Sequence, residues 1–247
     1  MRIAFVSDTH ANLEAVSACL EHARDNGAQQ YVFLGDLVGY GADPGPVVDI
    51  VMAAVARGAL AVLGNHDLGV ARVPEEAMHP EARRAIAWTR GRLSAAQLAF
   101  LDGLPLTAEQ DGRLYVHANA WAPGAWEYIT GVFDAGRSMR ATPSRLTFCG
   151  HTHEPALYHM TAEGQVSGFT PVPGTGIPLG RLRRWLAIPG SAGQPRDGNP
   201  AAGYALFDDA TSVMTWFRVA YDFMSAARKI REAGLPESFA ARLEVGY

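Results

Sequence analysis

Three short apolar runs separated by two amphipathic stretches open the chain, and their order constrains the fold more than any other feature. The runs predict strands at 2–7, 31–36 and 60–67. The stretches at 12–27 and 43–58 have apolar residues at helical spacing, with glycine at their ends. Strands that alternate with helices form a buried, mainly parallel sheet. We therefore predict an α/β fold that begins with this sheet.

The remainder of the chain is richer in strands. Residues 80–103 predict two helical pieces, with Ser94 and Gln97 as a capping box for the second. Turn residues between alternating apolar runs predict hairpins at Asp111–Gly112 and Glu163–Gly164. Further strands are predicted at 145–153, 184–191, 204–208 and 213–222, and a last helix at 223–234. We expect these strands to build a second sheet packed on the first.

Composition favours one soluble globular domain, 1–247, with 48% hydrophobic and 19% charged residues. The formal net charge of −4 gives no overall attraction to nucleic acid or to an anionic membrane. No apolar run reaches the roughly 18 residues of a membrane span, and the N-terminus lacks the pattern of a signal peptide. Cys19 and Cys149 lie far apart in apolar runs, which favours a reduced, cytoplasmic protein over a disulfide scaffold.

Polar side chains follow five of the predicted strands, at the end where open α/β sheets bind ligands. The candidates are Asp8 with His10, Asp36, Asn65 with His66 and Asp67, His117, and His151 with His153. In extended backbone, residues i and i+2 point to one side, so Asp8 and His10 can share a site, as can His151 and His153. Glycines precede three of the five stretches and let the backbone turn sharply there.

Each stretch has an ordinary explanation when it is taken alone, since Asn, Asp and Gly favour turns and a histidine can end a strand. Their joint occurrence favours a metal site. Imidazoles, carboxylates and one amide, without a thiolate motif, suit Mn, Fe, Zn, Co or Ni better than Ca or Mg. The seven candidate ligands fit two divalent ions that share a carboxylate, about 3.5–4 Å apart, with Mn expected to serve in vitro. Such a pair can clamp a phosphoryl group and ionise a water.

The motifs D-x-H, G-D, G-N-H-D, H and G-H-x-H resemble, at every position, those of the calcineurin-like metallophosphoesterases. The resemblance extends over residues 3–204. It implies an αββα sandwich of two mixed β-sheets flanked by helices, with a dinuclear metal site at one edge. It also implies hydrolysis of phosphoester bonds by a hydroxide that bridges two metal ions.

The resemblance gives each motif residue a role. Asp8, His10 and His153 would hold the first ion, Asp36 would bridge, and Asn65, His117 and His151 would hold the second. His66 would contact the phosphoryl oxygen or protonate the leaving group. Asp67 would orient His66 through a hydrogen bond.

Two further stretches, at 35–44 and 189–204, resemble the bacterial branch described as diadenosine-tetraphosphatase-like or as small phosphodiesterases. This resemblance implies that Arg196 holds a non-transferred phosphate, since a guanidinium suits phosphate geometry. The alternative is a simple turn in which Arg196 pairs with Asp197. The aromatic residues of 117–137 leave a similar choice, between stacking on a base and packing on the core.

The stretches GDLVGYG and LGNHD lack the arginines that protein serine/threonine phosphatases of the superfamily carry there. The symmetrical dinucleoside-tetraphosphate hydrolases also have an arginine in the first motif. We therefore expect a small phosphodiester or dinucleoside-polyphosphate substrate, with a phosphomonoesterase or protein phosphatase as the alternative. A non-catalytic scaffold of this fold is a further alternative, which the intact ligand set disfavours. We interpret His22, His79 and His159 as structural or surface residues.

Overall fold

The computed structural model describes residues 1–72 and 80–247, which contain twelve strands and eight helices. The strands are β1 (Arg2–Val6), β2 (Gln30–Phe33), β3 (Leu60–Ala61), β4 (Thr107–Gln110), β5 (Arg113–Val116), β6 (Leu146–Phe148), β7 (Ala156–Met160), β8 (Val166–Phe169), β9 (Gly176–Pro178), β10 (Arg184–Ile188), β11 (Ala202–Asp208) and β12 (Val213–Val219). The helices are α1 (Leu13–Asp25), α2 (Pro44–Val55), α3 (Asn65–Ala71), α4 (Pro80–Arg90), α5 (Ala95–Asp102), α6 (Val132–Arg140), α7 (Phe223–Glu232) and α8 (Glu237–Val245).

Two mixed six-stranded sheets form the centre of the molecule. The first has the order β3-β2-β1-β11-β12-β9, and the second has the order β4-β5-β6-β10-β7-β8. β1, β2 and β3 are parallel, as the alternation of strands and helices predicts, and β11 pairs antiparallel with β1. In the second sheet, β5, β6 and β10 are parallel to one another. The expected αββα sandwich of two mixed sheets is therefore confirmed.

The main core lies between the two sheets. Phe5 of β1 stacks on Phe148 of β6, with ring centroids 4.0 Å apart. Trp216 of β12 is buried in the same cluster, and its indole N–H donates to the Ile188 carbonyl at 2.9 Å. Each fully buried large apolar side chain contributes about 1.5–3 kcal/mol to the free energy of unfolding. This core fixes β1 and β6 face to face.

Helices cover the outer faces of both sheets. Residues of α1 and α2 pack on the first sheet, and Met139 of α6 packs on the second together with Ile188. A separate cluster joins α4, α7 and α8, with Phe239 of α8 fully enclosed. Tyr40, in the loop between β2 and α2, packs against this cluster. The loop is thereby connected to the C-terminal helix α8.

Several local predictions are confirmed. Both hairpins form, and Ser94 caps α5, accepting from the Gln97 N–H at 3.3 Å. The Asn12 side chain caps α1 and accepts from the Ala15 N–H at 3.1 Å. Neither cysteine forms a disulfide, and both are buried. None of the described helices has the length and apolar character needed to cross a membrane.

The structure differs from the sequence prediction in five elements. The third strand is only Leu60–Ala61, because the polar stretch after it begins α3. Three elements were not predicted from the sequence: the helices α6 and α8 and the short strand β9. α6 begins within the aromatic stretch 117–137, where the Thr130 N–H and hydroxyl both donate to Asp134 and stabilise the first turn.

Candidate dinuclear metal centre

The candidate ligands meet at one edge of the sandwich because each follows the carboxyl end of a strand. Asp8 follows β1, Asp36 follows β2, His117 follows β5 and His151 follows β6. Their side chains are buried, with at most 5% of any of these residues exposed. Strands from both sheets contribute, so the site forms only when the two sheets are packed together.

Two groups of ligand atoms lie close enough to hold metal ions. One atom from each member of a group lies within 4.8 Å of the others, and the groups are Asp8, His10, Asp36 and His153, and then Asp36, His117 and His151. Asp36 belongs to both groups. The Asn65 Oδ1 atom lies 3.2 Å from His117 Nε2, which places this amide beside the second group.

Backbone carbonyls orient all four histidines. The contacts are His10 Nδ1 to Val38 O at 3.1 Å, His117 Nδ1 to Leu34 O at 2.7 Å, His151 Nε2 to Trp126 O at 2.8 Å and His153 Nδ1 to Gln194 O at 2.6 Å. A carbonyl only accepts, so each of these ring nitrogens carries the proton. The other nitrogen of each ring therefore points into the site, where it can bind a metal ion once it is unprotonated.

The inward-facing ring nitrogens lie in pairs. His10 Nε2 is 3.1 Å from His153 Nε2, and His117 Nε2 is 3.1 Å from His151 Nδ1. Two lone pairs at this distance repel each other unless a proton or a cation lies between them. The donor set of imidazoles and carboxylates fits a divalent transition metal at each pair.

Two buried carboxylates increase the need for positive charge. Burial raises the pKa of Asp8 to about 6, although the Ser7 hydroxyl and the His151 N–H both donate to its carboxylate. Burial also acts to raise the pKa of Asp36, but the neighbouring His117 and His66 hold it well below its usual value. Buried charges of this kind are stable when cations or hydrogen bonds compensate them.

Burial acts to lower the pKa of all four candidate ligand histidines, but a neighbouring carboxylate reverses the shift at one of them. Burial lowers the pKa of His151 to about 3 and holds the pKa values of His10 and His153 well below the ordinary value. Burial acts in the same direction on His117, but the charge of Asp36, 3.4 Å away, raises its pKa to about 9. In the protein without ions, His117 therefore holds the proton that a metal ion would replace.

The contacts of Asp67 differ from those predicted. Its carboxylate accepts from the backbone N–H groups of Leu37 at 2.8 Å, Val38 at 3.2 Å and Gly64 at 3.1 Å, and it forms no hydrogen bond with His66. Asp67 therefore joins the start of α3 to the loop after β2. The Nδ1 atom of His66 is buried without a hydrogen-bond partner among the described residues.

His66 lies directly beside the candidate ligands. Its ring centroid is 5.0 Å from that of His10 and 4.4 Å from that of Tyr40. Its backbone N–H donates to Asp36 Oδ1 at 2.8 Å. Burial lowers the pKa of His66, so the ring is neutral near pH 7 and presents one N–H donor and one acceptor.

The glycines before the ligands serve two purposes. Gly35 has φ of +88°, the left-handed turn expected before Asp36. Gly64 has no such turn, but a Cβ atom there would lie 2.1 Å from the Asp36 N atom. Gly150 would similarly place a Cβ atom 1.8 Å from the Ser7 hydroxyl. These last two glycines permit the close approach of neighbouring strand ends.

The Arg196 guanidinium is not paired with Asp197, the alternative considered from sequence. Asp197 pairs with Arg218, and Arg196 donates to the Gln194 side chain at 3.2 Å. The Gln194 backbone carbonyl is the group that orients His153. Arg196 therefore lies two positions along the chain from Gln194, which contacts the candidate ligand His153 directly.

The aromatic stretch 117–137 both packs and borders the site. The Trp121 ring lies under the Arg137 guanidinium, 4.4 Å from its carbon, and packs on the core. The Tyr128 ring stacks on His151 with centroids 4.1 Å apart and is 49% exposed. His22 and His159 lie away from the centre, in contact with Tyr204 and Trp185, and His79 lies outside the described residues.

Sequence reasoning did not identify Tyr40 as part of the site. The Tyr40 ring is 4.7 Å from that of His10 and 4.8 Å from that of Phe239 of α8. Burial raises the pKa of Tyr40, and the positive charges of Arg196 and Arg242 oppose that shift. The sequence signal was present in the stretch 35–44, but a single tyrosine there had no assigned chemistry.

Comparisons with known proteins agree with this geometry. The family model described as the calcineurin-like phosphoesterase superfamily domain matches residues 1–212. The uncharacterised protein MJ0912 of Methanocaldococcus jannaschii is 35% identical, with 99% of this chain and 98% of the relative covered. The crystal structure of a metallophosphoesterase from Sphaerobacter thermophilus is 36% identical and superposes with a TM-score of 0.88, covering 100% of this chain and 99% of the other. The hypothetical protein PH1004 of Pyrococcus horikoshii OT3 shares the fold, with 20% identity, a TM-score of 0.78 and coverage of 100% and 98%.

Proposed function

Because this chain belongs to the calcineurin-like phosphoesterase superfamily, we propose that it hydrolyses phosphodiester or phosphoanhydride bonds at a centre of two divalent metal ions. Metal-dependent phosphoester hydrolysis is the activity of the superfamily. The observation that carries the two-ion proposal is the sharing of Asp36 between two groups of ligand atoms. Dinucleoside polyphosphates resembling Ap4A are the substrates we favour.

Seven side chains would hold the two ions. Asp8, His10 and His153 would bind the first ion, Asn65, His117 and His151 the second, and Asp36 both. When bound, two such ions supply Lewis-acid stabilisation of the phosphoryl oxygens and an ionised water as nucleophile. Manganese is the ion we expect to support activity in vitro, among Mn, Fe, Zn, Co and Ni.

The remaining site residues act on the substrate or on the shape of the site. We assign His66 the donation of a hydrogen bond to a phosphoryl oxygen or of a proton to the leaving oxygen, because its ring borders His10 and its backbone N–H donates to Asp36. Asp67 maintains the position of His66 by joining α3 to the loop after β2. Arg196 binds a phosphate that is not transferred.

Three observations support a diester or anhydride over a protein phosphatase. The arginines that grip phosphate in protein serine/threonine phosphatases are absent from GDLVGYG and LGNHD. Asp197 pairs with Arg218 and not with Arg196, so this carboxylate does not compete with an anionic substrate for the Arg196 guanidinium. Tyr128 presents an exposed ring beside His151, where a base or an aryl group can stack.

A substrate panel with Mn²⁺ tests the proposal. We expect bis-p-nitrophenyl phosphate and Ap4A to be cleaved faster than p-nitrophenyl phosphate. Asp36→Asn should lose at least about a hundredfold in kcat, whereas the matched control Asp102→Asn, an exposed residue of α5 that pairs with Arg72, should behave as wild type. A preference for monoesters would reject the substrate class, and no cleavage of any phosphoester would reject the activity.

Metal analysis separates an enzyme from a scaffold of the same fold. We expect the purified protein to retain two metal ions per chain in the presence of Mn²⁺. Bound cations would compensate the buried carboxylates and the closely spaced imidazole nitrogens. A protein that retained no stoichiometric metal would fit the scaffold and would contradict the proposal.

A further inference from the structure

A cavity of about 390 Å³ opens beside the candidate metal centre, and none of its lining residues is a candidate metal ligand. The lining residues are Tyr40, Glu154, Arg196, Arg242 and Tyr247. Tyr40 forms the boundary with the centre, since its ring touches both His10 and His66. A ligand in this cavity would therefore be adjacent to a phosphoryl group bound at the metal ions.

Two arginines give the cavity its positive charge. Within the described residues, neither Arg196 nor Arg242 forms an ion pair with a carboxylate, and Arg196 donates only to the Gln194 side chain. Arg242 is half-buried on α8. Glu154 contributes one exposed carboxylate to the wall, beside the two guanidinium groups. Half-buried arginines without partners are suited to binding phosphate through paired N–H groups.

The C-terminal residues are held against the loop that carries Arg196. The Gly198 N–H donates to the Gly246 carbonyl at 2.8 Å. Gly246 has φ of +70°, and a Cβ atom there would lie 2.4 Å from Asn199. This close approach fixes the end of α8, and with it Arg242 and Tyr247, next to Arg196. The cavity is thus a built feature of the fold and depends on a helix outside the phosphoesterase motifs.

We propose that Arg196 and Arg242, flanked by Tyr40 and Tyr247, form an anion subsite for a second phosphate of the substrate. The subsite rests on the proposed function, because it takes the phosphate next to the one that reacts at the metal ions. It selects nucleoside diphosphates and longer phosphoanhydrides over substrates with one phosphate. Arg242 is the specificity-determining residue, since it has no place among the candidate metal ligands.

Calorimetric titration of the Mn²⁺-loaded protein tests the subsite through ligand binding. The two probes are AMP, with one phosphate, and α,β-methylene-ADP, in which a methylene bridge that water does not cleave joins the two phosphorus atoms. We expect wild type to bind the diphosphate more tightly. In Arg242→Gln the ratio of the two Kd values should fall about tenfold, the effect of losing hydrogen bonds to a charged group. Arg242→Lys should restore part of the ratio.

Arg228→Gln is the matched control, because Arg228 is an exposed arginine of α7 paired with Glu232. It should retain the wild-type ratio. An unchanged ratio in Arg242→Gln, or an equal loss in the control, would overturn the subsite. Assaying the same preparations with bis-p-nitrophenyl phosphate judges the proposed function separately, because a protein without turnover still reports the two Kd values.

Discussion

Left-handed backbone at residues other than glycine is concentrated at the metal centre. Such residues there are Asp8, His10, Ala11, Asp36, Tyr40, His151 and His153, with φ between +44° and +71°. Each costs of order 1 kcal/mol for a residue with a Cβ atom. Backbone bonds hold these conformations, among them the His10 N–H donating to the Asp36 carbonyl at 3.0 Å. The strain aims the ligands inward.

His66 should be needed for turnover and not for metal binding. His66→Ala removes an imidazole that lies beside His10, with ring centroids 5.0 Å apart, and that is not among the candidate ligands. We expect kcat on bis-p-nitrophenyl phosphate to fall about 10²–10³-fold, with the metal content unchanged. His159→Ala, in β7 and away from the centre, is the control. An unchanged kcat, or loss of both ions, would contradict the assigned role.

Metal affinity should rise with pH between pH 7 and pH 9. Burial lowers the pKa of His117, but Asp36 raises it to about 9, so the proton must leave before the ion can bind. The apparent Kd for Mn²⁺ should therefore decrease about tenfold per pH unit until the pKa is approached. Calorimetry in buffers of different ionisation enthalpy should show proton release on binding. A pH-independent Kd without proton release would exclude this competition.

The elements themselves explain why the convergence of the candidate ligands could be predicted from sequence. Parallel strands put their carboxyl ends at one edge, so Asp8 and Asp36 had to be neighbours once 2–7 and 31–36 were recognised. The element α3 was not predicted, because the stretch Gly-Asn-His-Asp at its start is compatible with a turn. The bonds of Asp67 to distant backbone amides had no sequence signal.

Asp67 should contribute to stability through the junction between α3 and the loop after β2. Asp67→Asn replaces an acceptor of three N–H groups with an amide that has one acceptor oxygen. We expect the free energy of unfolding to fall by about 1–3 kcal/mol, measured by urea denaturation of the metal-loaded protein. The exposed control Asp102→Asn should change it by less than about 0.5 kcal/mol. Equal effects in the two variants would show that the junction contributes nothing.

Local sequence patterns do not predict which strands pair within each of the two sheets. The second sheet was expected, but β11 and β12 extend the first sheet, with Phe5 of β1 opposite Ala205 of β11. Such long-range register depends on the core between the sheets. Arg242 illustrates the same limit, because α8 reaches the site through tertiary contacts such as those of Phe239 and Gly246.

The proposed function requires each chain to bind two divalent ions in order to hydrolyse a phosphodiester. The most direct measurement is the rate of bis-p-nitrophenyl phosphate hydrolysis while Mn²⁺ is titrated into the metal-free protein. We expect no turnover without metal and a rate that rises until two equivalents of Mn²⁺ are bound per chain. Full activity at one equivalent, activity without metal, or no activity at any occupancy would contradict it.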